Sequence, residues 1–206
     1  MLFALQRILI VLVVAIAAYC LWPRSTSLEQ FPSDRMAELQ VTVWQKTAQK
    51  DRLGMIFPLY EMYERGYRIP PITALNMART MSHARNLFVR AADAADQDKA
   101  LDPLRTTFTN LKNATGAAFD ANAAARLELH SWQLVADHAK RAQLTTAISE
   151  QLGLFYGRPA AEMLPAAKHF ARAMKEAGDG RWEPSLAASR EAWAELGRIV
   201  AVAPKT

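Results

Sequence analysis

The sequence contains a single cysteine, Cys20, which lies inside the apolar N-terminal stretch. One thiol excludes an intramolecular disulfide, and cysteine usage therefore does not identify the compartment. Glycine is also scarce, with eight residues among 206. Together with the many alanines and few β-branched runs, this scarcity favours an all-α chain that forms one domain with one appendage.

The motifs of common catalytic and metal sites are absent. The sequence has no His-Glu-x-x-His, Cys-x-x-Cys-His, P-loop or Gly-x-Ser-x-Gly motif, and no Glu-x-x-His spacing of the kind found in helical di-iron sites. We therefore expect no catalytic, cofactor-binding or metal-binding residues, and we favour a protein that is not an enzyme. An enzyme stays an alternative, but it would need a cofactor that leaves no sequence motif. Non-covalent haem needs only one or two axial ligands, so the four histidines leave that cofactor open.

The first 22 residues, MLFALQRILIVLVVAIAAYCLW, are almost entirely apolar. The uncharged run over residues 8–22 is shorter than the ~20 residues that cross a bilayer. If the Arg7 side chain reaches the headgroups, the span lengthens, and Tyr19 and Trp22 lie where interfacial aromatic residues are common. We therefore predict a single-pass transmembrane signal-anchor helix over residues 1–22.

A cleaved signal peptide is the rival interpretation, because it has the same basic start and apolar centre. Ala15-Ile16-Ala17 has the small-x-small pattern of a cleavage site, but bulky residues follow it before any polar residue. A retained anchor is therefore favoured, with its N-terminus in the cytoplasm and the soluble domain outside, in a periplasm or its equivalent. No second span is visible, which disfavours a receptor whose sensory bundle lies between two spans.

The rest of the chain reads as a polar linker over residues 23–33 and an all-helical soluble domain over residues 34–204. Hydrophobic residues recur there at helical spacing, and we predict a bundle of five to six helices. The longest helix covers about residues 121–156, with Asp120 as its N-cap and Gly157 as its stop. At ~1.5 Å per residue, this central helix would be about 54 Å long, so the other helices must pack along it.

Four polar residues interrupt the apolar stripe of the predicted central helix. They are Ser131, His138, Arg141 and Thr145. Because 3.6 residues per turn does not match a strict heptad, the simplest interpretation places them on the rim of the helix interface. The alternatives are a buried hydrogen-bonded network, or a ligand pocket in which His138 and Arg141 hold an anionic or carbonyl group.

The region from residue 55 to residue 90 is rich in aromatic residues and arginine. Between Arg65 and Ala92 there are five arginines and no acidic residue. If acidic residues on other helices pair with these arginines, the stretch is an ordinary solvated helix face. If they do not, the arginines are suited to bind an acidic partner or anionic lipid headgroups. The candidate interface residues are Phe57, Tyr60, Tyr63, Arg65, Arg68, Arg79, Arg85 and Arg90. We expect no nucleic-acid partner, because no binding motif is present.

These patterns favour an accessory or scaffolding subunit of a larger membrane protein complex, acting by protein–protein contacts. Its expected partners are other subunits of that complex and, through residues 1–22, the lipid bilayer. The alternative is an anchored helical ligand-binding or sensory domain with a pocket near His138 and Arg141. The second function would need an enclosed pocket near His138.

Overall fold

The computed structural model describes residues 6, 11, 19 and 26–202. These residues are all-α, with no strand among them, so the predicted fold class is confirmed. The α-helices are α1 (Ser33–Ala48), α2 (Ile56–Glu61), α3 (Pro71–Arg90), α4 (Ala94–Gln97), α5 (Leu101–Thr115), α6 (Ala121–Ala136), α7 (Leu144–Tyr156), α8 (Ala160–Gly178) and α9 (Trp182–Ala201). A π-helix (Met62–Gly66) continues α2, and 3-10 helices (Asp98–Ala100 and His138–Gln143) precede α5 and α7.

The predicted anchor, residues 1–22, lies outside the described residues except for Gln6, Val11 and Tyr19, which are helical. Within the part of the chain that the structure describes, no helix combines the length and the apolar composition of a bilayer span. Tyr19 is 52% exposed, and its hydroxyl donates a hydrogen bond to Glu64 Oε1 at 2.7 Å. This contact joins residue 19 to the π-helix.

The predicted linker packs against the helical domain over its described residues. The Leu28 side chain is buried. Thr26 Oγ1 donates to the carbonyl of Ala114 in α5 at 2.7 Å, and the Tyr156 hydroxyl of α7 donates to the carbonyl of Leu28 at 3.1 Å. Residues 26–28 are therefore held by contacts to two helices.

The prediction of one central helix over residues 121–156 is wrong, although both of its ends are correct. Asp120 Oδ1 accepts hydrogen bonds from the backbone nitrogens of Asn122 and Ala123, as an N-cap does. Gly157 follows α7 with a left-handed φ of 61°. Between these ends, the helix stops at Ala136, and a 3-10 helix separates α6 from α7.

Hydrogen bonds of two side chains account for the break. Asp137 has an extended backbone, with φ −93° and ψ 96°, and its Oδ1 accepts from Ala139 N at 3.1 Å. A continuous helix would have paired Ala139 N with the carbonyl of Val135, which instead accepts from Arg141 Nε at 2.9 Å. Aspartate side chains that bond the local backbone compete with helix continuation in this way. The described bundle consequently has seven helices of 13 or more residues, where five to six were predicted.

Two adjoining hydrophobic clusters form most of the core. One is built mainly from α2, α3, α5 and α6, and the other mainly from α1, α7, α8 and α9. In the second cluster, α8 and α9 are antiparallel: Ser185 Oγ donates to the carbonyl of Ala173, and Phe170 packs edge-on against Trp193. Trp193 Nε1 also donates to Gln40 Oε1 at 2.9 Å, which joins α9 to α1. The candidate site lies where the two clusters meet.

Candidate functional site

A cavity of about 180 Å³ lies between the two core clusters. Every α-helix except α4 contributes to its walls, and most of the lining side chains are apolar. The exceptions are the charged and amide side chains, one serine and three tyrosines: Gln40, Tyr63, Tyr67, Arg85, Glu128, Ser131, Gln151 and Tyr156. This composition, an apolar enclosure with a few polar groups, is typical of small-molecule sites.

The polar groups are organised around an ion pair between α3 and α6. Arg85 Nη2 lies 3.5 Å from Glu128 Oε1, and the two side chains are 13% and 18% exposed. The Arg85 guanidinium also lies over the Trp132 ring, 4.6 Å from its centroid. Glu128 accepts shorter hydrogen bonds from Trp132 Nε1 at 2.8 Å and from Gln151 Nε2 at 2.6 Å. Groups from α3, α6 and α7 therefore satisfy this carboxylate.

Two polar atoms at the cavity have no hydrogen-bond partner within the described part of the chain. They are Arg85 Nε and Ser131 Oγ. Ser131 is only 1% exposed, and it follows Glu128 by three positions on α6, so the two side chains share a helix face. A buried donor without a partner costs about 1–3 kcal/mol. The site therefore has unused hydrogen-bonding capacity beside an apolar space.

The charges around the cavity cancel. Burial lowers the pKa of Arg85, and the nearby Glu128 carboxylate opposes that shift, so the arginine is held as one half of an ion pair. Burial also raises the pKa of Tyr63 and of Tyr67, which keeps both phenols uncharged at neutral pH. One cation, one anion and neutral hydroxyls give the site a net charge near zero.

A second cavity of about 180 Å³ forms a cleft at the surface next to the first. Trp44, Arg85 and Met174 line both spaces. The cleft also contains Phe88, whose ring packs edge-on against Trp132, and the exposed Gly178. The three shared side chains therefore lie between the inner cavity and a space that reaches solvent.

The four polar residues of the predicted central helix do not lie together. Ser131 lines the inner cavity. His138 is exposed, and its Nε2 lies 3.2 Å from Arg141 Nη2. Arg141 and Thr145 line a surface depression beside α8. His138 lines another surface depression, of about 680 Å³, together with His130 and Asp137. The break at Asp137 thus separates Ser131 from the other three residues, and of the four only Ser131 lines the inner cavity.

The predicted interface residues divide between core and surface. Tyr63 and Arg85 line the inner cavity, and Tyr60 is half-buried. The exposed members are Phe57, Arg65, Arg68, Arg79 and Arg90. Arg65 pairs with two glutamates of its own helical segment. Among the described residues, Arg68 and Arg79 form no ion pair.

Large apolar side chains are exposed in the same region. They are Leu53 (77% exposed), Phe57 (69%), Ile72 (62%) and Leu75 (43%). Ile72, Leu75 and Arg79 follow one another at spacings of three and four, so they share one face of α3. Ser82 Oγ donates to the carbonyl of Arg52 at 2.6 Å, which holds the turn before α2 against α3. We define the α2–α3 face as Arg52, Leu53, Phe57, Arg65, Arg68, Ile72, Leu75 and Arg79.

Sequence reasoning missed Glu128, Trp132 and Gln151. Glu128 and Trp132 are four positions apart on one helix, a spacing at which side chains meet, and this was the one local signal for the cluster. No local pattern connects Arg85 or Gln151 to them. Within the described residues, no three side chains of histidine, cysteine, aspartate or glutamate are grouped as a metal ion would require.

The comparisons with known proteins found no match: no protein family, curated protein or solved structure is similar to this chain. The geometry of the described residues is therefore the basis for the proposals that follow.

Proposed function

We propose that this protein is a membrane-anchored accessory subunit of a larger membrane protein complex, and that the α2–α3 face binds its partner. The observation that supports this function is that residues 52–79 expose four large apolar side chains and four arginines. Exposed apolar patches rimmed by polar residues are typical of interaction sites. Arginine and aromatic residues are enriched at protein interfaces, where charged residues of other types are depleted.

The type of basic residue favours a protein partner over lipid. Between Lys50 and Lys99 the sequence has six arginines and no lysine. Lysine and arginine both attract anionic headgroups, but the planar guanidinium binds carboxylates in a bidentate geometry that lysine lacks. Since Arg68 and Arg79 form no ion pair within the described structure, they are available for such contacts. The proposed partner therefore presents acidic side chains around an apolar centre.

The anchor over residues 1–22 is part of the same proposal. In that arrangement Tyr19 lies near the outer end of the span, and its hydrogen bond to Glu64 supports a position of Arg65 and Arg68 close to the bilayer surface. An anchor in the same membrane raises the effective concentration of the partner, so a modest interface suffices. The helical domain is proposed to lie on the outer, periplasmic side.

Site-specific photo-crosslinking in native membranes tests this function. The photoreactive residue p-benzoylphenylalanine replaces Phe57 or Ile72 in the full chain, and in a matched control it replaces Leu164, which is 37% exposed on α8. We expect one discrete protein adduct from positions 57 and 72 and none from position 164. The adduct should disappear when Arg68→Glu and Arg79→Glu are combined with the photoreactive residue, because the charge reversal repels an acidic partner.

Two results would contradict a protein partner. Adducts with phospholipid alone at positions 57 and 72 would make the α2–α3 face a membrane-contacting surface. Equal protein adducts from all three positions would show that crosslinking reflects random collisions. If a discrete adduct still forms after the double charge reversal, the α2–α3 face is an interface, but the proposal that its partner is acidic is wrong.

A further inference from the structure

We propose that the inner cavity beside Arg85 and Ser131 is a binding site for a small, mostly apolar, uncharged molecule with one hydrogen-bond acceptor, such as a ketone. This site is separate from the α2–α3 face, so it would be a second activity of the protein, independent of the docking function. It rests on three features of the cavity: its size, its two unpartnered polar atoms and its balanced charge.

The size of the cavity sets the size of the ligand. A dry protein cavity of about 150 Å³ accommodates benzene. The inner cavity, with about 180 Å³, therefore has room for one ring with a short substituent. Together, the inner cavity and the outer cleft reach the lower end of the range of known ligand sites, ~300–1,000 Å³. A ligand with a longer tail would extend past Arg85 into the cleft.

The two unpartnered atoms define the polar contact. Arg85 Nε–H can only donate, and the Ser131 hydroxyl can donate as well, so both favour an acceptor oxygen on the ligand. Both side chains line the inner cavity. The Glu128 carboxylate, which already accepts from Trp132 and Gln151, holds the Arg85 side chain in place. A ligand carbonyl at this position would satisfy buried donors that otherwise have no partner.

The charge balance excludes an anionic ligand. Arg85 is already compensated by Glu128 at 3.5 Å, so a ligand carboxylate would add one uncompensated negative charge to an apolar enclosure. Burying an unpaired charge is far more costly than burying a neutral carbonyl that is hydrogen-bonded. The site should therefore prefer a ketone over both a carboxylate and a hydrocarbon of the same shape.

Three aromatic probes with nine non-hydrogen atoms each separate these cases. Acetophenone carries a neutral acceptor, cumene replaces it with a methyl group, and benzoate carries a charge. Titration calorimetry of the full chain in mild detergent gives the three dissociation constants. We expect acetophenone to bind about tenfold more tightly than cumene, as one good hydrogen bond provides, and benzoate to bind most weakly.

Two serine variants locate the binding. Ser131→Ala removes one of the two unpartnered donors and should weaken acetophenone about threefold, because Arg85 Nε remains, while leaving cumene unchanged. Ser189→Ala is the matched control, because Ser189 is also fully buried with an unpartnered hydroxyl but does not line either cavity. It should leave all three constants unchanged, which also corrects for partition into detergent.

The proposal is overturned if none of the probes binds at its solubility limit, since the cavity would then hold only water. Equal affinities for acetophenone and cumene would reject the role of the two polar atoms, and tightest binding of benzoate would reject the charge argument. Equal effects of Ser131→Ala and Ser189→Ala would place the binding outside the cavity. The crosslinking experiment at positions 57 and 72 is unaffected by any of these results.

Discussion

Arg85 and Arg141 have nearly the same burial, with side chains 13% and 12% exposed, and each links separate helical segments. Their hydrogen bonding differs. Arg141 has every guanidinium nitrogen engaged: one with a backbone carbonyl, one with Asp179 Oδ1 at 2.6 Å, and one with His138. Arg85 has a longer contact of 3.5 Å to Glu128, and its Nε has no partner among the described residues.

The comparison teaches that burial alone does not distinguish a fully paired arginine from an incompletely paired one, such as the arginine that we propose contacts a ligand. A fully paired arginine fixes a local geometry, here the break between α6 and α7. An incompletely paired arginine lowers the stability of the folded state, because one buried N–H group has no acceptor. That N–H group stays available to an acceptor on a ligand. Local violations of the rule that buried donors are paired are concentrated at functional sites.

The largest expected effect follows from removing the counter-ion of Arg85. Glu128→Ala leaves a buried guanidinium without its carboxylate, and should lower the free energy of unfolding by about 3–5 kcal/mol. Urea denaturation of the full chain measures this. The double variant Arg85→Met with Glu128→Leu replaces the ion pair with apolar side chains and should recover most of the loss. If Glu128→Ala lowers the free energy of unfolding by less than Arg141→Ala does, the proposed difference between the two arginines is wrong.

A smaller loss is expected for Arg141→Ala, because water can reach its partners Asp179 and His138, which are both exposed, once the guanidinium is removed. The variant loses the cap on the carbonyl of Val135 and the ion pair with Asp179, so unfolding should become easier by about 2 kcal/mol. Acetophenone affinity, measured in the same preparation, should be unchanged. Weaker binding of acetophenone in this variant would show that the two arginines are not functionally distinct.

The pairing of Arg141 also predicts a pH dependence. The hydrogen bond from Arg141 holds the pKa of Asp179 below its usual value of 3.8. A carboxyl whose pKa is depressed in the folded state contributes stability above its unfolded pKa, and this contribution is lost as the pH falls through the folded pKa. The stability difference between wild type and Asp179→Asn should therefore be constant above about pH 5 and shrink below pH 3.8. A difference that grows towards low pH would contradict the assignment.

The smallest effect is expected for His138→Ala. His138 is exposed, and its one described contact is to a guanidinium that has two other partners. Stability should change by less than about 0.5 kcal/mol, as for most surface substitutions. Ketone affinity and the crosslink at position 57 should both be unchanged. A loss of either would return attention to the pocket that the sequence suggested near His138.

The elements that sequence rules predicted correctly are those decided by neighbouring residues. Asp120 caps α6 through nitrogens two and three positions later, and Gly157 ends α7 with a conformation that glycine adopts readily. The local sequence pattern does not predict the break at Asp137. This break depends on Arg141, whose conformation is fixed partly by Asp179 on another helix.

The candidate site was beyond prediction for the same reason. Arg85 was assigned to a surface because no acidic residue is near it in sequence, but its partner Glu128 comes from α6 through tertiary packing. Ser131 stands out in the sequence because it is polar on an otherwise apolar stripe. Only the fold shows that Ser131 lines the same cavity as Arg85 and Gln151, and that His138 does not line it.

The pairing of α1 with α9 has a consequence for biosynthesis. Glu38 and Arg190 are 152 positions apart in the chain, and Gln40 and Trp193 are 153 apart, yet both pairs are in contact. At ~5–20 residues per second, the ribosome needs on the order of ten seconds to deliver α9 after α1 has emerged. During that interval the apolar side of α1, which includes Met36, lacks its final cover. Translation must therefore run nearly to the end of the domain before this half of the core can close, and a chaperone has a defined period in which to bind.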